Sequence, residues 1–129
     1  MNEPLGTPAH AAVLCASLNL STSDLAEIGG FDVRHARRVL RGESALKPDV
    51  HAALLQIQQD CYALAEQLIE AAENRGGGEV SCYRDNDELR ADGAMPARGK
   101  AAGGFVGPYM VAVADAMADF GEGLVPVFD

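Results

Sequence analysis

Between Thr7 and Pro48 the sequence carries helix start and stop signals so closely spaced that no helix there can run much beyond about ten residues. Thr7 followed by Pro8 is a favoured N-cap and first helical position. A first helix is therefore predicted from Pro8 to about Ser17, burying Val13, Leu14 and Cys15, with Leu18 and Leu20 flanking its exit. Ser21 stands three residues before Asp24, an S-x-x-D capping box. It predicts a short helix from Thr22 to Ile28, with Leu25, Ala26 and Ile28 as its apolar residues. Gly29-Gly30 ends that helix, because glycine accepts the left-handed conformation such a stop needs. Phe31 can plug the core at the turn. Asp32 then caps a third helix, Val33 to Arg41, whose apolar residues Ala36, Val39 and Leu40 share one face and which stops at Gly42.

After a loop from Glu43 to Lys47, Pro48 opens a fourth helix, predicted to reach about Asn74. Val50, Leu54, Ile57, Cys61, Leu64, Leu68 and Ala71 recur along it at alternating spacings of four and three. That seam suits either a short coiled coil or packing onto the rest of the same chain. Gly76-Gly77-Gly78 breaks the helix, and Glu79 to Arg84 alternates as one short strand through Val80 and Cys82. Residues 85–104 read as loop with a helical turn around Asp87–Arg90. Pro108 opens a last helix to Phe120, with an expected stripe of Met110, Val113, Ala114, Met117 and Phe120. Leu124 to Phe128 is expected as an edge strand, where Pro126 is tolerated.

The chain has 129 residues and a formal net charge of −9, distributed unevenly. Residues 1–47 carry five basic and five acidic side chains, and all five basic ones lie between Arg34 and Lys47. Residues 48–129 carry the other five basic groups against fourteen acidic ones. A basic patch on an otherwise acidic chain is compatible with phosphate contact. No stretch is long and apolar enough to span a bilayer, and the start lacks the layout of a secretory signal, so a cytoplasmic location with no membrane partner is expected. Cys15, Cys61 and Cys82 form no metal-ligand spacing and read as reduced, buried thiols.

Two short helices joined by a tight glycine turn, with a third before and a fourth after, form the layout in which a second helix enters the DNA major groove. Here that helix, starting at Asp32, offers Val33, Arg34, His35, Arg37 and Arg38 as base-contact candidates. Arginine can hold guanine with two hydrogen bonds, and valine can touch a thymine methyl. Thr22 at a helix start, and Arg41, Ser44 and Lys47 at or beyond the end of the reading helix, are phosphate-contact candidates.

Residues 18–57 resemble the lambda-repressor-like (Cro/C1, or XRE) helix-turn-helix family through Leu18-x-Leu20-Ser21, Leu25-Ala26, Gly30, Phe31, Gly42, and the run from Ala45-Leu46 to Ala53-Leu54-Leu55. The resemblance implies base contacts from Val33, Arg34, His35 and Arg37, and phosphate contacts from Thr22, Arg41 and Lys47. Beyond residue 57 the order of elements is similar to small regulators of phages and mobile elements that sit beside anti-CRISPR genes, and this implies dimerisation through the C-terminal part.

The expected fold is mostly α: a lambda-repressor-like bundle over 1–57, then a small α+β dimerisation region over 58–129. The expected function is a dimeric repressor of an inverted-repeat operator on double-stranded DNA. The alternatives are an antitoxin with a toxin partner, or a protein-interaction module that has lost DNA binding. No enzyme, cofactor, catalytic residue or metal site is expected. Gly76-Gly77-Gly78 is not followed by Lys-Ser/Thr, and Ala102 stands where a G-x-G-x-x-G motif ending at Gly104 and Gly107 would need glycine. Asp85, Asp87 and Glu88 lack calcium-loop spacing and read as a solvated loop. His10 and His51 read as surface residues, and the aromatic residues after position 82 as core or dimer contacts.

Overall fold

The computed structural model describes residues 7–91 and 104–128. Six helices and two strands occur among them: α1 Pro8–Ser17, α2 Thr22–Gly29, α3 Val33–Leu40, α4 Pro48–Arg75, β1 Gly78–Cys82, α5 Asn86–Ala91, α6 Val106–Phe120 and β2 Leu124–Phe128. The chain divides into two compact units, Met1–Gln56 and Ile57–Asp129, with the boundary inside α4.

In the first unit the ends of α1, α2 and α3 are chemically specified. Thr7 Oγ1 accepts the His10 N–H at 3.2 Å, opening α1. Asn19 closes it in the left-handed region (φ 54°), which asparagine tolerates better than most residues. The Leu20 N–H then reaches back to the Cys15 carbonyl at 3.2 Å. The capping box of α2 is complete. Ser21 Oγ accepts the Asp24 N–H at 3.0 Å, and Asp24 Oδ2 accepts the Ser21 N–H at 3.2 Å. Gly30 (φ 69°) ends α2. A Cβ at Gly29 would meet the Phe31 ring, which would have to move. Asp32 Oδ1 accepts the His35 N–H at 2.8 Å to start α3. That helix closes at Gly42, with the Glu43 N–H bonded to the Arg38 carbonyl at 2.8 Å and the Gly42 N–H to Val39 at 3.0 Å. These paired bonds are the Schellman stop.

Helix α3 packs against α1 and α2. The core of this unit holds Ala11, Leu14, Cys15, Leu18, Leu25, Ala36, Val39, Leu46, Val50 and Leu54. Val13, expected inside, is 67% exposed. At 100° per residue it falls off the face shared by residues 11, 14, 15 and 18. His51, expected at the surface, is only 3% exposed. It follows Val50 and precedes Leu54 by three positions, so it flanks the buried seam.

In the second unit β1 and β2 pair in parallel, Gly78 opposite Leu124 and Cys82 opposite Phe128. The Gly78 N–H donates to the Gly123 carbonyl at 2.8 Å, so alternation turns the backbone groups of Val125 and Val127 toward β1. Pro126 therefore sits in the outward register, where its missing N–H spoils the free edge for another strand. A Cβ at Gly77 would meet the Gly123 carbonyl oxygen at 2.6 Å, which fixes glycine at this close approach.

The buried residues of α6 are Gly107, Pro108, Tyr109, Ala112, Val113 and Ala116. The expected stripe is displaced: Met110, Met117 and Phe120 are half-buried and Ala114 is exposed. The helix begins at Val106, not Pro108, and Tyr109, the largest fully buried side chain, selects the inward face. The Tyr109 hydroxyl donates to the Ser81 carbonyl at 2.8 Å. Around residues 85–91 the expected helical turn is a full short helix, and Asp85 caps it by accepting the Glu88 N–H at 2.8 Å. The expected loop residues 92–103 lie outside the described ones.

Along α4 the seam Val50, Leu54, Ile57, Cys61, Leu64 and Leu68 is buried within the chain, and Ala72 takes the buried place expected for Ala71. All three cysteines are free and buried. Burial pushes the Cys15 and Cys61 thiols up to about 11, so they stay protonated near neutral pH. No helix among the described residues is long and apolar enough to cross a membrane.

Candidate nucleic-acid interface

Helix α3 is short, and its sequence divides it sharply. Ala36 and Val39 are fully buried, while Val33, Arg34, Arg37 and Arg38 are exposed. Arg34, Arg37, Arg38 and Arg41 are separated by three, one and three positions, which places them on one side of the helix. Val33, four residues before Arg37, lies at the border of that side, 38% exposed. Arg34, Arg37 and Arg38 make no ion pair with a described residue. Arg41 meets Glu43 at 3.8 Å, with both side chains more than half exposed. Such a surface pair contributes about 0–1 kcal/mol.

His35 is half-buried, and its ring lies edge-on to Phe31 with centroids 4.5 Å apart. The turn residue thus fixes the orientation of a side chain on the following helix. Lys47 is exposed immediately before α4, and its carbonyl accepts the His51 N–H at 2.9 Å. Ser44 and Thr22 are half-buried. At the start of α2 the capping box uses the N–H groups of Ser21 and Asp24. Those of Thr22 and Ser23 have no partner within the helix, by the geometry of a helix start. The buried Asp24 carboxylate already faces this positive helix end, which reduces its attraction for a phosphate.

One pair of residues escaped the sequence reading. His10 and His51 lie edge to face with centroids 4.8 Å apart, and neither ring nitrogen of His51 has a hydrogen-bond partner among the described residues. The signal was present in the spacing, since His51 stands among the seam residues of α4. Of the late aromatics, Tyr83, Phe105 and Tyr109 are core residues. Phe128 is 52% exposed beneath the Arg84 guanidinium. Among the described residues no group of three or more His, Cys, Asp or Glu is placed to hold a metal ion.

Comparison of the chain with family models, with curated proteins and with solved structures gives no match to any of them.

Proposed function

We propose that this chain is a sequence-specific DNA-binding regulator whose α3 enters the major groove of an inverted-repeat operator, one α3 per half-site. The observation that carries this is Arg34. It stands in the first turn of α3, exposed, with no ion pair to a described residue. A cation at that end opposes the helix dipole, so helix stability gives no reason for it. Arg37 and Arg38 in the last turn have such a reason, worth about 0.3–1 kcal/mol each. Arg34 has the position from which the first residues of a reading helix meet base edges.

Val33, Arg37 and Arg38 extend the contact surface, and His35 is oriented toward it by Phe31. Arg41, Ser44 and Lys47 follow the helix and suit phosphate contacts, with Thr22 on the neighbouring helix start. The protein would act as a dimeric repressor, blocking polymerase by occupancy. Since the α4 seam is buried within the chain, dimer contacts would use other surfaces of residues 57–129. The test is selection of bound duplexes from a random pool, followed by gel shift of the selected sequence. Arg34→Ala should lower specific affinity roughly 5- to 150-fold, the range of one lost bidentate contact of about 1–3 kcal/mol, while leaving nonspecific binding nearly unchanged.

A further inference from the structure

Residues 57–129 carry a second charged surface, which DNA contact leaves unused. An open groove of about 820 Å³ lies between α4 and α6. Ala65 at its base is buried, Ile69 is half-buried, and the Tyr62 ring is 53% exposed. Glu66, Glu70 and Glu73 border it on α4, and Asp115 and Asp119 on α6. Among the described residues no basic one lines it. None of the five carboxylates has an ion pair with a described residue.

Three kinds of occupant can be compared. A small-molecule pocket is mostly apolar with a few placed polar groups, whereas five of the eight residues here are acidic. A second copy of this face would set five more carboxylates against these, and like charges across an interface oppose association. A cationic segment with an apolar face meets both features. An exposed tyrosine beside a half-buried aliphatic side chain is an anchor of the kind that dominates protein interfaces. From Tyr62 to Glu73 α4 advances about 16 Å at 1.5 Å per residue, room for about three turns of a helix laid alongside.

We propose that the α4–α6 groove docks a basic amphipathic helix of another protein. Its apolar face would seat on Tyr62, Ala65 and Ile69, and its lysines or arginines would meet the carboxylates on either side. The inference stands apart from DNA binding and can succeed or fail without it.

The test uses the full chain and a fluorescein-labelled 15-residue helical peptide of leucine and lysine, with a scrambled peptide of the same composition as control. Anisotropy titration at low salt should show the amphipathic peptide binding at least tenfold more tightly than the scrambled one. Tyr62→Ala, and separately the pair Glu66→Gln and Asp115→Asn, should each weaken it at least tenfold without changing the thermal midpoint. The pair Glu43→Gln and Glu79→Gln removes the same charge elsewhere and should leave binding within twofold. Equal binding of the two peptides, or equal loss in both double variants, would reduce the effect to net charge and overturn the proposal. Displacement of the peptide by spermidine regardless of Tyr62 would assign the groove to small cations instead. A dimer that dissociates in Tyr62→Ala by sedimentation would make it a self-interface, which also overturns the proposal.

Discussion

The exposed side of α3 and the groove between α4 and α6 are built from the same material, helix faces that the core left over, yet they carry opposite charge. On α3 two small apolar residues, Ala36 and Val39, anchor the helix and leave Arg34, Arg37 and Arg38 exposed. On α4 a long seam from Val50 to Leu68 anchors the helix, and the remainder holds Tyr62, Ile69 and three glutamates near the groove. A net charge of −9 therefore says little about what either surface binds. The sign has to be read face by face, because field and screening act over about 8–10 Å rather than over the whole chain.

The sharpest way to break this comparison is to remove the scaffold of one surface alone. Leu25 is fully buried between the helices of the first unit. Leu25→Ala should cost about 2–5 kcal/mol, seen as a lower denaturant midpoint, and should abolish DNA binding. The circular-dichroism signal of a second, later transition would show whether residues 57–129 keep their structure. A single transition for both units would mean that the two surfaces are not energetically separate.

Next in size is Arg34→Ala, with its predicted loss of about 1–3 kcal/mol in specific binding. The groove pair Glu66→Gln and Asp115→Asn is its counterpart, because it should leave operator affinity almost unchanged. A large gain in operator affinity from that pair would show that the acidic surface opposes DNA directly, and the comparison would need redrawing.

A smaller effect tests the second unit by itself. Tyr109→Phe removes the bond to the part-buried Ser81 carbonyl, so about 0.5–1.5 kcal/mol should be lost on unfolding. Operator affinity should not change.

The smallest effect near neutral pH concerns His51. Burial first, and the nearby His10 second, lower its pKa below the ordinary 6.5. As pH falls through 6.5 the unfolded chain takes up a proton that the folded chain resists. The first unit therefore keeps its full stability above 6.5 and loses it progressively on acidification. His51→Leu should flatten the acid limb of a plot of thermal midpoint against pH. An unchanged slope would mean that other groups govern that limb.

Where local chemistry alone decides structure, the sequence was legible. The Ser21–Asp24 box, the Asp32 cap, the Gly42 stop and the Pro48 start each need only side chains within a few residues, and the structure has each of them. Register within an element was less legible. The α6 stripe was misplaced because Pro108 signals a first turn without saying which of its positions it fills, and because Tyr109 chooses the inward face through a bond to β1. Val13 and His51 were misassigned for a related reason, since polarity suggests burial but only the helical angle decides it. The parallel pairing of β1 with β2 depends on contacts more than forty residues apart, which no local pattern carries. The arginines of α3 were visible from the start, whereas the groove required two distant helices to be brought together.

The central claim is that α3 touches DNA through Arg34 and its neighbours. It is tested most directly by measuring operator affinity against salt for the unmodified chain and for Arg34→Ala, using the duplex selected from a random pool. The prediction is a linear fall of log affinity with log salt, at about 0.9 per phosphate contact, with Arg34→Ala displaced to weaker binding. Failure to bind any duplex at low salt, or identical lines for the two proteins, would contradict it.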